Sequence, residues 1–220
     1  MAKLRVDKIA APIIKDEYTG SVYFDGTGDY LSVTDNGDFD ASGDFNIEFW
    51  ANLSLTDSNA WLVSKYDSAN NRREYIVTVN SSGKVSFYWS TDGSTHGALN
   101  TSDGTITAHT WNHYAWVKKG SVLTGYINGV ALVQKTDLTS QYNNSVTPLY
   151  VGSLDGSQSF TGYISNLRIC KGHAVYDGNF TVPTRELEVH TGAKGVVFPA
   201  ADNRTVLLAC QDAYNPLTEA

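Results

Sequence analysis

The chain has 220 residues, is 41% hydrophobic, and sets 16 Lys and Arg against 23 Asp and Glu for a net charge of −7. That length can bury a full core in one all-β domain of about 200–250 residues, while the acidic balance lacks the basic footprint that neutralises phosphates and argues against nucleic acid as a direct partner. No apolar run approaches the roughly 18 residues of a membrane-spanning helix, and the N-terminus lacks the sustained apolar core of a secretory signal, so the expectation is no membrane insertion and synthesis in the cytoplasm.

Residues 1–19 mix Lys3, Arg5, Lys8 and Lys15 with Asp7, Asp16 and Glu17. Leu4, Val6, Ile9, Ile13 and Ile14 make the segment partly apolar, but it is too short to build a core. It reads as an arm: either an edge strand or frayed end of the domain, or an extended anchor to a neighbouring subunit. From Ser21 the hydrophobic period is two. Ser21-Val22-Tyr23-Phe24 enters the glycine-punctuated reversal Asp25-Gly26-Thr27-Gly28-Asp29 and returns through Tyr30-Leu31-Ser32-Val33. Residues 46–53 alternate, with Ile47, Phe49, Ala51 and Leu53 on one side. Further strands are predicted at 61–65, 74–80, 84–90, 114–118, 123–127, 130–134, 149–153 and 162–170. Asn128-Gly129 between two of them tolerates the positive φ angles of a two-residue type I′ hairpin, and Lys119-Gly120-Ser121 supplies another reversal.

Asp-Gly recurs at Asp25, Asp92, Asp103, Asp155 and Asp177, each near a predicted strand end. Many short antiparallel strands separated by such turns describe an all-β sandwich or jelly roll. No helix is predicted: the stretch 175–188 is interrupted by Pro183. Thr205 to Cys210 is strand-like and either closes an edge of the sandwich or pairs outside it. Without an export signal, Cys170 and Cys210 are expected as reduced, buried thiols, with a disulfide as the alternative. The organisation expected is an arm at 1–19, a body at 20–185 and a C-terminal extension at 186–220 that packs on the body or on a neighbour.

Four blocks in order, SVYFDGTGDYLSV, FNIEFWANL, WNHYAWVKKG with LTGYINGV, and LYVGS with FTGYISNLRI, resemble the concanavalin A-like lectin/glucanase superfamily, in particular its laminin G-like jelly rolls. The continuation GYISNLRICKGHAVYDGNFTVPTREL resembles a pattern in structural proteins of tailed phages, especially of marine and cyanobacterial hosts. Arg168, Lys171-Gly172, Ala174, Tyr176, Phe180 and Pro183 carry that second match. The resemblance implies a non-enzymatic virion structural protein, a head decoration or a tail appendage or fibre subunit, displayed on the virion surface. Its partners would be other virion proteins, further copies of itself in a homo-oligomer, and a host-surface glycan. A free carbohydrate-binding module is the rival reading, and a glycan hydrolase a third.

The residues give the hydrolase little support. Retaining hydrolysis needs paired carboxylates about 5–5.5 Å apart, whereas Glu48 and Glu74 stand alone and read as solvated acids. His96, His109, His113, His173 and His190 form no zinc-binding spacing, and His113 reads as a structural strand residue. For glycan stacking the candidates are Tyr66, Tyr88, Trp89 and His96, placed near strand ends where an exposed ring could meet a sugar face. The family resemblance also implies a structural calcium ion, for which Asp25, Asp29 and Asn166 are the oxygen-bearing candidates; the alternative is that Asp25 and Asp29 cap a turn.

Overall fold

A computed structural model describes residues 5–7, 20–56, 59–141, 146–154, 157–188, 205–211 and 217–218. Leu4, Ile9, Ile13 and Ile14 of the arm lie outside the described residues. The strands are β1 (Arg5–Asp7), β2 (Ser21–Asp25), β3 (Leu31–Val33), β4 (Phe45–Leu53), β5 (Ala60–Asp67), β6 (Arg72–Val79), β7 (Val85–Trp89) and β8 (Gly97–Asn100). They continue with β9 (Trp111–Lys119), β10 (Val122–Ile127), β11 (Val130–Lys135), β12 (Leu149–Val151), β13 (Thr161–Lys171), β14 (Thr205–Ala209) and β15 (Leu217–Thr218). One 3₁₀ turn, Gly37–Phe39, is the only helical element among the described residues.

The strands form two antiparallel sheets packed as a sandwich. The nine-stranded sheet runs β1-β2-β13-β4-β9-β10-β11, with β14 added to β13 and β15 to β14; the six-stranded sheet runs β3-β12-β5-β6-β7-β8. The even members of residues 46–53 and the odd ones point to opposite faces. Ile47, Phe49, Ala51 and Leu53 enter the inter-sheet core with Val22, Tyr114 and Trp116, and Val63, Val77 and Phe87 meet them from the other sheet. Phe87 bridges the layers, its ring centroid 5.3 Å from Trp116 and 6.0 Å from Phe45. Each such buried side chain contributes about 1.5–3 kcal/mol relative to exposure.

The edges show what sequence patterning leaves open. Val6 stands opposite Val22, so the arm contributes an edge strand beside β2. The tail strand β14 pairs with Leu167–Cys170 of β13, while β2 pairs with Thr161–Ile164 of that strand. Asn166, at φ 51°, sits at the irregularity between these stretches. In this register Cys170 faces Thr205, and Cys210 follows Ala209, which faces Leu167. The two thiols are thus apart, free and buried. The strand at 97–100 escapes prediction because Gly97-Ala98-Leu99-Asn100 has no apolar alternation; it pairs at the sheet edge with β7.

Candidate functional site

At β4 and β9 the outer face of the nine-stranded sheet is not solvated. Asn46, Glu48 and Trp50 of β4, and His113, Ala115 and Val117 of β9, are all buried although they point away from the inter-sheet core. After β13 the chain turns back over them. Gly172 N donates to Asp44 O at 2.7 Å, and residues 173–188 then run as a strap without regular structure. Ala174, Tyr176 and Phe180 of this strap pack against Ala115, Val117 and Tyr126. The rings of Tyr176 and Phe180 stack with centroids 3.5 Å apart and planes 3° from parallel.

The hairpin between β10 and β11 holds the strap in place. Ile127 pairs with Val130, leaving Asn128-Gly129 as the two-residue loop, with φ angles of 52° and 77°. Phe180 N donates to Gly129 O at 2.9 Å. A Cβ on Gly129 would lie 2.0 Å from Phe180 O, so only glycine permits this approach. Asn128 serves the neighbouring strand as well: its Oδ1 accepts from His113 N and its Nδ2 donates to Asn112 Oδ1, each at 2.9 Å.

Beneath the strap lies a closed charge cluster around Glu48. Arg168 donates to Oε1 through Nε at 2.9 Å and Nη2 at 2.6 Å, and Asn46 Nδ2 donates to the same oxygen at 2.8 Å. Tyr176 OH donates to Oε2 at 2.6 Å, and His113 Nε2 lies 3.2 Å from that oxygen. Burial alone would raise the carboxyl pKa, but the His113 contact, the Arg168 charge and the Tyr176 hydroxyl outweigh it and hold the group down to about 2. Glu48 is therefore neither solvated, as its isolation in sequence suggests, nor available to a substrate. It ties the strap to three strands.

Beside the strap opens a cleft of about 700 Å³ over β9, β10 and β11, within the range of small-ligand sites. Tyr126 and Tyr176 give it aromatic surface, Thr124, Gln134 and Asn179 give hydroxyl and amide groups, and Asp44, Lys119 and Asp177 give charge. Gln134 Nε2 donates to Thr124 Oγ1 at 3.2 Å, and Asn179 Oδ1 accepts from Ala131 N at 2.9 Å. These contacts fix one atom of each amide and leave the other polar atom on the cleft side chain. Tyr126 is 4% exposed and the Tyr176 ring stacks on Phe180, so the recognition chemistry of the cleft lies in its amides and hydroxyls, which can bond the hydroxyls of a ligand.

The predicted site residues are distributed differently. Tyr66, Tyr88 and His96 come together on the six-stranded sheet, with Tyr66 OH 3.3 Å from His96 Nδ1 and the Tyr88 and His96 ring centroids 5.5 Å apart. Trp89 turns into the inter-sheet core. Tyr66 is also buried, edge-on to Trp61 and under the Arg73 guanidinium. This leaves Tyr88 and His96 as the more accessible members of that group.

Asp25 and Asp29 meet in the predicted turn, where Asp25 Oδ1 accepts from Thr27 N at 2.7 Å and Asp29 Oδ2 accepts from Asp25 N at 3.2 Å. Asn166 does not join them. Thr161 is the β13 residue opposite Asp25, and five residues farther along the strand amounts to about 15 Å. Asn166 Oδ1 instead accepts from Leu187 N at 3.0 Å and from Gln211 Nε2 at 2.9 Å. The three oxygen-bearing residues thus do not make a common cation cage.

Glu74, the other isolated acid of the sequence, is likewise buried. Lys65 Nζ lies 2.9 Å from Glu74 Oε2, Asp35 Oδ1 and Asp40 Oδ1, and Glu74 Oε1 accepts from Ala41 N at 2.8 Å. The cleft itself could not be found from sequence, because its walls come from β9–β11 and from a strap about 50 residues later that has no periodicity to read.

A family sequence model described as the concanavalin A-like lectin/glucanases superfamily matches residues 25–174. No curated protein sequence is a significant match. Among solved structures the chain is similar to domains LG4-5 of mouse laminin α1, at 20% identity and a TM-score of 0.54, covering 74% of this chain and 45% of that one. It is also similar to CBM40 of the Ruminococcus gnavus IT-sialidase, at 13% identity and a TM-score of 0.58, covering 71% and 92%. A third is the binding domain of botulinum neurotoxin serotype G, at 10% identity and a TM-score of 0.56, covering 79% and 44%. The chain therefore spans less than half of the laminin and neurotoxin chains, and at these identities the likeness is one of fold. The family match together with the two-sheet sandwich shows that this chain belongs to the concanavalin A-like lectin/glucanase superfamily, with a laminin G-like jelly roll as its body.

Proposed function

We propose that the protein is a non-enzymatic, lectin-like adhesion subunit of a tailed-phage particle that holds a saccharide in the cleft beside the strap. The observation that carries the binding reading is the cleft itself, with amides and hydroxyls converging over β9–β11 beside Tyr126 and Tyr176. The similar R. gnavus CBM40 has been solved with α2,3-sialyllactose bound, and the other similar structures include a toxin binding domain; both fit a sandwich used for recognition. Both buried glutamates are bonded to side chains of the protein itself, which supports binding without hydrolysis. The virion setting is drawn from the sequence pattern around Arg168, Tyr176 and Phe180, with the arm as the element that attaches the subunit to its neighbours.

Two measurements test the two halves of this reading. A glycan array should show binding by the wild type and at least a tenfold weaker signal for Gln134→Ala, the change expected when a site loses one well-placed hydrogen bond; an array with no positive glycan rejects saccharide binding. Proteomics of purified particles should find the protein at stoichiometric copy number. Its absence from particles would favour a free carbohydrate-binding module.

A further inference from the structure

Two carboxylates and one ammonium line the cleft, and none of them is presented bare. Lys119 of β9 donates through Nζ to Asp177 of the strap. Asp44 Oδ1 accepts from Gly120 N at 2.7 Å. Lys118, one residue earlier, is 4% exposed and its ammonium donates to Gly120 O at 2.7 Å and Gly43 O at 3.0 Å. The other described cations packed around this face are also engaged, Lys135 with Asp137 and Arg168 with Glu48.

An anionic sugar entering here would compete with Asp177 for the Lys119 ammonium and lie beside the Asp44 and Asp177 carboxylates. Lys119 and Asp177 are both more than half exposed, so this opposition has the modest scale of surface charges and weakens with salt. A hydroxyl meets no such opposition. It donates and accepts at once, and the amide side chains of Gln134 and Asn179 offer both roles. We infer that the cleft selects uncharged sugars and discriminates against carboxylated and sulfated ones, with the Lys119–Asp177 pair as the specificity-determining element. This inference rests on the saccharide-binding reading above and assigns its substrate class.

The test is a glycan array in which each acidic glycan is printed beside its neutral parent, α2,3-sialyllactose beside lactose and sulfated galactosides beside unsulfated ones, probed with the wild type and with Asp177→Asn. Neutral members should dominate the wild-type signal. Asp177→Asn, which leaves the Lys119 ammonium without its partner, should raise the acidic-to-neutral ratio about fivefold, the scale of one surface charge interaction. A wild type that binds acidic members as well as or better than neutral ones, or a ratio that Asp177→Asn does not move, overturns the selectivity and leaves saccharide binding standing. Failure to bind any printed glycan overturns both.

Discussion

Glu48 and Glu74 are each fully buried on a β-strand, yet they are held in opposite senses. Glu48 receives two guanidinium N–H groups on one oxygen, an amide, a hydroxyl and an imidazole, and its pKa falls to about 2. Glu74 accepts from Ala41 N and shares the Lys65 ammonium with Asp35 and Asp40, but burial prevails over these contacts and its pKa rises to about 7. Burial has the same sign at both sites. What separates them is how many positive and donating groups converge on each carboxylate, and how many carboxylates compete for them.

Removing the cations should break the comparison most severely. Lys65→Met takes the ammonium from three carboxylates and Arg168→Met takes the guanidinium from Glu48, and each should cost about 3–5 kcal/mol in urea unfolding, the range for breaking a buried ion pair. The two losses should respond differently to pH. Between pH 8 and pH 5 the Lys65→Met deficit should shrink, because Glu74 takes up a proton in its place, whereas the Arg168→Met deficit should shrink less, because Asn46 and Tyr176 still donate to the Glu48 carboxylate. Parallel behaviour of the two variants would mean that the clusters are electrostatically alike.

The wild-type pH dependence sharpens the same contrast. Glu48 titrates near 4.5 in the unfolded chain and near 2 in the fold, so its contribution is complete above pH 4.5 and is lost as pH falls toward 2. Glu74 has the opposite sign: its contribution is complete below pH 4.5 and is lost as pH rises through 7. Displacements of this size correspond to about 3 kcal/mol each. Glu48→Gln should therefore flatten the acid limb of a stability curve, and Glu74→Gln the limb between pH 4.5 and pH 7. Chemical denaturation at unit pH intervals reads both slopes, and an unchanged upper limb in Glu74→Gln would count against the Glu74 assignment.

A smaller effect is expected at the hairpin that seats the strap. Gly129→Ala places a Cβ against Phe180 O in a left-handed conformation, and should cost about 2 kcal/mol. It should also weaken glycan binding, since Asn179 lies next to Phe180. Retained binding with reduced stability would show that the cleft tolerates a displaced strap.

The hairpin also marks how far the sequence could be read. Asn128-Gly129 announces its turn through local backbone chemistry, and Ile47, Phe49, Ala51 and Leu53 announce their face through alternation; both are properties of a few adjacent residues. The opposite face of β4 is illegible by the same rule. Asn46, Glu48 and Trp50 look like a polar, solvated side, and only the strap arriving from beyond residue 172 buries them. Ion pairing between positions 120 residues apart, as for Glu48 and Arg168, leaves no trace in spacing. Trp89 shows the converse: its strand-end position suggests exposure, but the strand's phase turns the ring inward. Arg168, Ala174, Tyr176 and Phe180, which carry the resemblance to virion proteins, are the residues that lock the strap to the sheet. That pattern is thus a folding signature first, and the chemistry of the cleft gives the more direct argument for binding.

Hydroxyl deletions give the finest comparison of the two clusters. Tyr176 OH donates to the ionised Glu48 at 2.6 Å, while Tyr75 OH donates to the backbone carbonyl of Phe39 at 3.0 Å beside Glu74. Tyr176→Phe should cost about 1.5 kcal/mol, the lower end for a hydrogen bond to a charge, because His113 still faces the same oxygen. Tyr75→Phe should cost about 1 kcal/mol, the value for a neutral pair. The sharper distinction lies in where each change is felt. Tyr176→Phe should raise the Glu48 pKa and speed amide exchange at Phe180 and Ala131, where the strap meets the hairpin, while Tyr75→Phe should leave those amides unchanged. Equal protection of Phe180 in the wild type and Tyr176→Phe would mean that ring stacking and the Gly129 contact hold the strap without the buried charge.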